Sequence, residues 1–129
     1  MLGGRESPDP LHAAGDGVAG GGTWSLVEDP ARARVLVRFP AFVTAGIAAE
    51  ATAAIARILC ERGAAMVVVV DLAEVEAFEV HAPVAAVRAA LKAVGLISRV
   101  ELIVRRRIVR IAAVSAARIL GLPCTVRSA

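Results

Sequence analysis

Three glutamates that lie close together after an apolar run are the first candidates for chemistry in this sequence. Glu74, Glu76 and Glu79 follow the run 66–71, and neighbouring carboxylates can share general acid and general base roles. The sequence supplies no candidate nucleophile, no set of metal ligands and, in the body of the chain, one histidine, His81. We therefore expect no enzyme, no metal and no cofactor. The glutamates are either a solvated acidic loop or a surface that recognises a protein partner.

The same loop carries three further side chains whose types matter. Phe78 either fills the core beneath the loop or is offered to a partner. His81 precedes Pro83, and it is either an exposed side chain at a helix start or a pH sensor beside the glutamates. We predict a partner-binding surface that consists of Glu74, Glu76, Phe78, Glu79, Val80 and His81.

A cluster of arginines stands at the predicted start of the third helix. Cations are disfavoured there, because a helix N-terminus already carries partial positive charge, and no acidic residue lies in the first turn. Three explanations remain open: the acidic loop lies across from the arginines, an anion such as a nucleotide phosphate or a lipid head group binds them, or they point into water. The second makes an anion site of Arg105, Arg106, Arg107 and Arg110.

Composition excludes several classes of protein. The chain has 129 residues, of which 57% are hydrophobic and 21% charged, so it can bury the core of one domain. Its longest uncharged runs, such as Phe39 to Ala49, are much shorter than the roughly 20 residues of a membrane span. Tyrosine is absent and the few other aromatic rings are scattered, which disfavours a stacking platform for nucleic acid. We expect neither membrane insertion nor nucleic-acid binding.

The first 22 residues differ in composition from the rest of the chain. Residues 1–22 are rich in glycine and proline, which predicts a disordered leader, and residues 23–129 form the domain. Cys60 and Cys124 lack metal-ligand spacing and no signal peptide precedes them. They indicate a reduced, cytoplasmic protein with two buried thiols.

Hydrophobic periodicity predicts an α/β fold in the order β-β-α-β-α-β-α-β. The strands are predicted at 24–28, 34–39, 66–71, 100–104 and 124–127, and the helices at 45–62, 83–94 and 107–120. Strand–helix–strand alternation implies right-handed crossovers and a mainly parallel sheet. We expect five strands, of which the first two form an antiparallel hairpin, with helices packed mostly on one face.

Helical and strand spacing also predict the core. In the second helix the stripe comprises Val84, Val87, Leu91 and Val94, and in the third Ile108, Ile111, Ala112, Ser115 and Ile119. The predicted core contains Val35, Val37, Ile55, Leu59, Val67, Val69, Val87, Leu91, Leu102, Val104, Ile108, Ile111 and Ile119. The other sheet face, with Arg34, Leu36, Arg38, Glu101 and Ile103, is either a surface for a homodimer or partner, or a solvated sheet face.

The element order over residues 23–127 resembles the STAS domain, the fold of anti-sigma-factor antagonists and sulfate-transporter tails. Residues 71–80 are similar to that family's Asp-Leu-Ser/Thr-x-Val-x-x-x-Asp-Ser segment: the matching residues are Asp71, Leu72 and Val75. Glu79 replaces the second aspartate, and Val80 stands where family kinases phosphorylate a serine. The resemblance implies a bacterial signalling or scaffolding protein that works by protein contact. Because valine accepts no phosphoryl group, we expect no kinase switch at this position.

Overall fold

The computed structural model of the protein describes residues 11–17 and 22–129. Its helices are α1 (Ala45–Arg62), α2 (Ala82–Ala90) and α3 (Arg107–Ile119). Its strands are β1 (Leu11–Gly17), β2 (Gly22–Asp29), β3 (Arg34–Arg38), β4 (Phe42–Val43), β5 (Met66–Leu72), β6 (Ala77–Phe78), β7 (Ile97–Val104) and β8 (Cys124–Ser128). Two 3-10 segments cover Pro30–Arg32 and Leu91–Leu96.

The main sheet contains six strands of the described chain, in the order β1-β2-β3-β5-β7-β8. β2 pairs antiparallel with β1 and with β3, whereas β3, β5, β7 and β8 run parallel. All five predicted strands are present, and the first two form the predicted antiparallel hairpin. The predicted α/β fold with a mainly parallel sheet is confirmed.

The leader prediction differs from the structure at one place. Leu11–Gly17, which fall inside the predicted disordered segment 1–22, form an edge strand on β2. The rest of that segment, except Gly22 at the start of β2, lies outside the described residues. The boundary between leader and domain stays a prediction.

Local chemistry explains the bounds of α1. Thr44 has extended backbone angles, and its hydroxyl accepts a hydrogen bond from the Ile47 N–H at 3.0 Å, as an N-cap does. Gly63 ends the helix with φ of +67°, a left-handed conformation that glycine adopts without a steric penalty. The helix packs on the sheet through Ile47, Ala51, Ile55 and Leu59 among others.

The three helices lie on one face of the sheet, where their buried side chains form one cluster with alternate strand residues. The predicted core residues that are buried are Val35, Val37, Ile55, Leu59, Val69, Leu102 and Val104. Val67 and Val87 are half-buried. The prediction is wrong for Leu91, Ile108, Ile111 and Ile119, which are exposed.

Leu91 lies on the outer side of this region, as Val84 does: the two residues are about two helical turns apart, and they are 57% and 52% exposed. α2 ends at Ala90, and a 3-10 segment with about three residues per turn follows. The predicted stripe is therefore wrong for Val84 and Leu91, while Val87 and Val94 are half-buried. The sheet side of this region is instead occupied by small side chains: Ala82, Ala90 and Ala93 are buried.

The buried side of α3 differs from the predicted one, because this helix has two apolar sides. Val109 and Ala117 face the core, while Ile108, Ile111 and Ile119 are exposed. At 3.6 residues per turn, Arg107 and Arg118 both lie within about 40° of Ile111 around the helix axis. Turning the isoleucines inward would draw both guanidinium groups toward the core, where an unpaired charge is strongly unfavourable.

None of the helices in the described part of the chain combines the length and the apolar character that crossing a bilayer requires.

Candidate interaction surface at the carboxyl edge of the sheet

The loop that follows β5 is anchored by backbone hydrogen bonds to the segment after β3. β6 pairs in parallel with β4, so that Phe42 lies opposite Ala77 and Val43 opposite Phe78. Glu76 donates its N–H to the Ala41 carbonyl at 2.7 Å, and Glu79 donates to Val43 at 2.9 Å. The loop therefore has a defined path at the carboxyl edge of the parallel strands, where α/β proteins commonly place their binding sites.

Asp71, the first residue of the family-like segment, holds the beginning of this loop. Its Oδ1 accepts a hydrogen bond from the Ala73 N–H at 3.0 Å. Its Oδ2 lies 3.1 Å from Nε of Arg38 on the neighbouring strand β3. One carboxylate thus joins the end of β5, the loop and β3, which gives this aspartate a structural role.

Glu79 contacts the start of α1. Its Oε1 accepts a hydrogen bond from the Ala45 N–H at 2.6 Å, although the two residues are far apart in sequence. A carboxylate at a helix N-terminus satisfies a backbone donor and interacts favourably with the helix dipole. Glu79 therefore supports α1, and its predicted contact with a partner stays a prediction.

Phe78 is half-buried and packs against the core cluster. Of its two alternatives, the structure shows the ring filling space beneath the loop. The other predicted residues of this surface, Glu74, Glu76, Val80 and His81, are exposed.

The exposed side of the loop combines apolar and acidic side chains. Val80 is 78% exposed and Val84, at the start of α2, is 52% exposed. Glu74 and Glu76 take part in no ion pair within the described residues. We call Glu74, Glu76, Val80, His81 and Val84 the loop surface.

The arginines after β7 line a cleft beside the same edge. The cleft measures about 540 Å³ and is lined by Val104, Arg105, Arg106, Arg107, Arg110, Ile111 and Ser128. Arg105 donates from Nε to the Ala73 carbonyl at 3.1 Å, so the cluster adjoins the start of the loop.

Of the three explanations for these arginines, pairing with the acidic loop is not found in the structure. Within the described ranges, none of Glu74, Glu76 and Glu79 forms an ion pair with them. The explanations of a bound anion and of solvent exposure remain.

The sheet face away from the helices carries two ion pairs that share Glu101. Arg34 of β3 and Arg99 of β7 each lie 2.6 Å from a carboxylate oxygen of Glu101. The hydrogen bond from Arg99 lowers the pKa of Glu101 below its ordinary value. Desolvation raises this pKa, whereas the hydrogen bond and the charge of Arg34 lower it. Leu36 and Ile103 on this face are half-buried. A homodimer through this face stays a prediction.

The prediction of two buried thiols is wrong for Cys60, which is exposed on α1, while Cys124 is half-buried. Both are free, and burial raises the pKa of the Cys124 thiol. No group of three or more potential metal ligands lies together in the described parts of the chain.

Comparison with known proteins identifies the class of fold. No protein-family profile and no curated protein sequence matches the chain. Among solved structures, it is similar to an uncharacterized protein of the DUF3478 family from Shewanella loihica PV-4, which has a SpoIIAA-like fold. The match has a TM-score of 0.59 and 15% sequence identity, and covers 96% of this chain and 91% of the other. The chain therefore has the SpoIIAA-like, or STAS-like, fold that the element order predicts.

Proposed function

We propose that this protein is a non-enzymatic regulatory module of STAS type that binds a protein partner through the loop surface. The observation that carries the proposal is the exposure of Val80 and Val84 beside two glutamates that have no ion-pair partner within the described chain. An apolar centre with a charged rim is the usual composition of a protein interface.

The charges of the loop surface specify the chemistry of the partner. Glu74 and Glu76 favour a partner with lysine or arginine around an apolar patch, because complementary rim charges raise association rates and exclude wrong partners. Val80, at the position where the related family carries a phosphorylated serine, makes the contact independent of phosphorylation there. The free thiols of both cysteines support a reducing, cytoplasmic location.

We expect the double substitution Glu74→Ala/Glu76→Ala to reduce partner retention about tenfold, since two rim ion pairs contribute roughly 1–2 kcal/mol together. The measurement is quantitative mass spectrometry of proteins captured from native cytosol by tagged wild type and by the variant. Glu79 is left intact because it supports α1.

Glu61→Ala is the matched control, because Glu61 is an exposed glutamate near the end of α1, away from the loop surface. A partner retained equally by wild type and the double variant contradicts the proposal. So does a partner that is lost equally with Glu61→Ala.

The arginine cleft supports a second candidate function, which is binding of a phosphate-bearing anion. Four arginines line one cleft, and no carboxylate in the described ranges pairs with any of them. Three of them, Arg106, Arg107 and Arg110, are at or near the first turn of α3, where backbone N–H groups also favour an anion. Arginine binds phosphate with several donors at once.

We expect ATP or pyrophosphate to raise the melting temperature of the wild type, because a ligand at about 100 times its Kd stabilises the folded state by about 2.7 kcal/mol. The triple variant Arg106→Gln/Arg107→Gln/Arg110→Gln should not respond. Arg105 is retained since it contacts Ala73. Arg88→Gln, an exposed arginine of α2, is the control and should respond as wild type. Equal shifts in wild type and triple variant, or no shift in either, would exclude this site.

A further inference from the structure

A cavity of about 180 Å³ lies between the sheet and the three helices α1, α2 and α3. Its floor comes from the central strands, with Val37, Val70 and Leu102, and its roof includes Ala86 and Ala116. The cavity is open to solvent over part of its boundary. It lies on the helix-covered side of the sheet and is separate from the arginine cleft, with which it shares no lining residue.

The lining of this cavity is almost entirely apolar. Thr52 is the one residue with a polar side chain among those that line it. At roughly 30 Å³ per water, the volume would hold about six water molecules, but water needs two to four polar partners and apolar cavities of similar size stay dry. The site is therefore suited to an apolar molecule and unsuited to a cluster of water.

The cavity follows from where the sequence places its small residues. Protein interiors are close-packed, and a void larger than a water molecule is unusual. Here the cavity-facing sides of α2 and α3 consist mostly of alanine, including Ala86, Ala90, Ala112, Ala113 and Ala116. The larger side chains Ile108 and Ile119 of α3 point to solvent instead. The space is thus set by helix orientation and alanine content together, and no side chain of the described residues fills it.

We propose that this cavity is a binding site for a small, uncharged apolar molecule of about six to eight non-hydrogen atoms, such as one aromatic ring or a short aliphatic chain. A bound molecule supplies van der Waals contacts that the lining atoms lack while the cavity is empty. A charged group is excluded from the apolar interior of the cavity, because it would be buried there without a hydrogen-bond or ion-pair partner. This site goes beyond the proposed function, although Val75, Phe78 and Ala82, from the segment that carries the loop surface, also line the cavity.

Benzene is the first probe, and the measurement is the melting temperature of the full-length protein followed by circular dichroism. We expect saturating benzene to raise the melting temperature of wild type by several degrees, since a ligand that binds only the folded state stabilises it. Benzoate, which has the same ring and a carboxylate, should produce a smaller shift than benzene, because its carboxylate cannot enter the apolar interior. A benzoate shift equal to that of benzene would contradict the apolar class of ligand.

Cavity-filling variants locate the site. Ala116→Leu should remove the benzene response, because its added carbons occupy the cavity. Ala53→Leu adds the same atoms at an exposed position of α1 and should respond as wild type. If Ala116→Leu fails to fold, Ala86→Val is the second filling variant. A wild type that benzene does not stabilise, or filled variants that respond like wild type, would overturn the proposal.

Xenon binding to wild-type crystals provides a measurement without any variant. We expect xenon density within the cavity bounded by Val70, Ala86 and Ala116, since apolar cavities of this size bind xenon. Crystals under xenon pressure with no density there would also overturn the proposal.

Discussion

Replacing Leu59 by alanine should lower the free energy of unfolding by about 3–5 kcal/mol. Leu59 has 0% exposure and lies on the sheet side of α1. It also lines the cavity, so the space left by the missing carbons joins an existing void. Where the surrounding structure cannot collapse into the new space, the loss of stability is at the upper end of the range for leucine-to-alanine substitutions. Urea denaturation followed by tryptophan fluorescence measures the change.

Leu91→Ala is the matched control, because it removes the same atoms from a position that is 57% exposed. We expect a change within about 0.5 kcal/mol, as for most surface substitutions. A Leu91→Ala variant as unstable as Leu59→Ala would show that the outer side of the 3-10 segment is covered in solution. Equal and small effects at both positions would contradict the packing of α1 on the sheet.

The bounds of α1 could be predicted because the deciding signals are local. Thr44 supplies an N-cap oxygen to a donor three residues away, and Gly63 ends the helix by adopting a positive φ. Neither signal depends on the rest of the fold. The same holds for β5, whose run of β-branched residues is typical of a central strand in a parallel sheet.

The orientations of α2 and α3 could not be predicted from apolar periodicity. Alanine is apolar but small, so a helix with alanine on one side and isoleucine on another offers two candidate buried sides. In α3 the choice depends on where Arg107 and Arg118 can remain in water. In α2 the alanines Ala82 and Ala90 are buried, while Val84 is exposed. Both are consequences of tertiary structure, which spacing alone does not contain.

The position of the candidate site could be predicted, but the contacts of its residues could not. A loop that leaves the end of a buried parallel strand lies at the carboxyl edge, which places Glu74, Glu76 and Val80. The hydrogen bond from Ala45 to Glu79 joins residues 34 positions apart. No spacing rule predicts such a contact, which gives Glu79 a role at the start of α1.

The loop surface and the arginine cleft are neighbours that do not neutralise each other. Arg105 contacts the loop through the Ala73 carbonyl, and the glutamates form no ion pair with the arginines among the residues described. Opposite charges that lie near one another without pairing remain available to other molecules. A partner with both basic and acidic groups would satisfy both regions at once, which increases specificity more than affinity.

Replacing Trp24 by alanine should also lower the free energy of unfolding by about 3–5 kcal/mol. Trp24 of β2 is 3% exposed, and its Nε1 donates a hydrogen bond to Glu50 of α1 at 2.7 Å. The ring therefore joins the antiparallel part of the sheet to the first helix by burial and by one hydrogen bond. Since this is the single tryptophan of the chain, the measurement is urea denaturation followed by far-ultraviolet circular dichroism.

Trp24→Phe separates the two contributions, because it keeps an aromatic ring in the core and removes the indole donor. Glu50 is exposed, so its carboxylate returns to water without the cost of a buried, unsatisfied group. We expect phenylalanine to lower the free energy of unfolding by about 1–2 kcal/mol, from the lost hydrogen bond and the smaller ring. If alanine and phenylalanine were equally destabilising, the hydrogen bond to Glu50 would dominate. If neither had an effect, Trp24 would not be seated between β2 and α1.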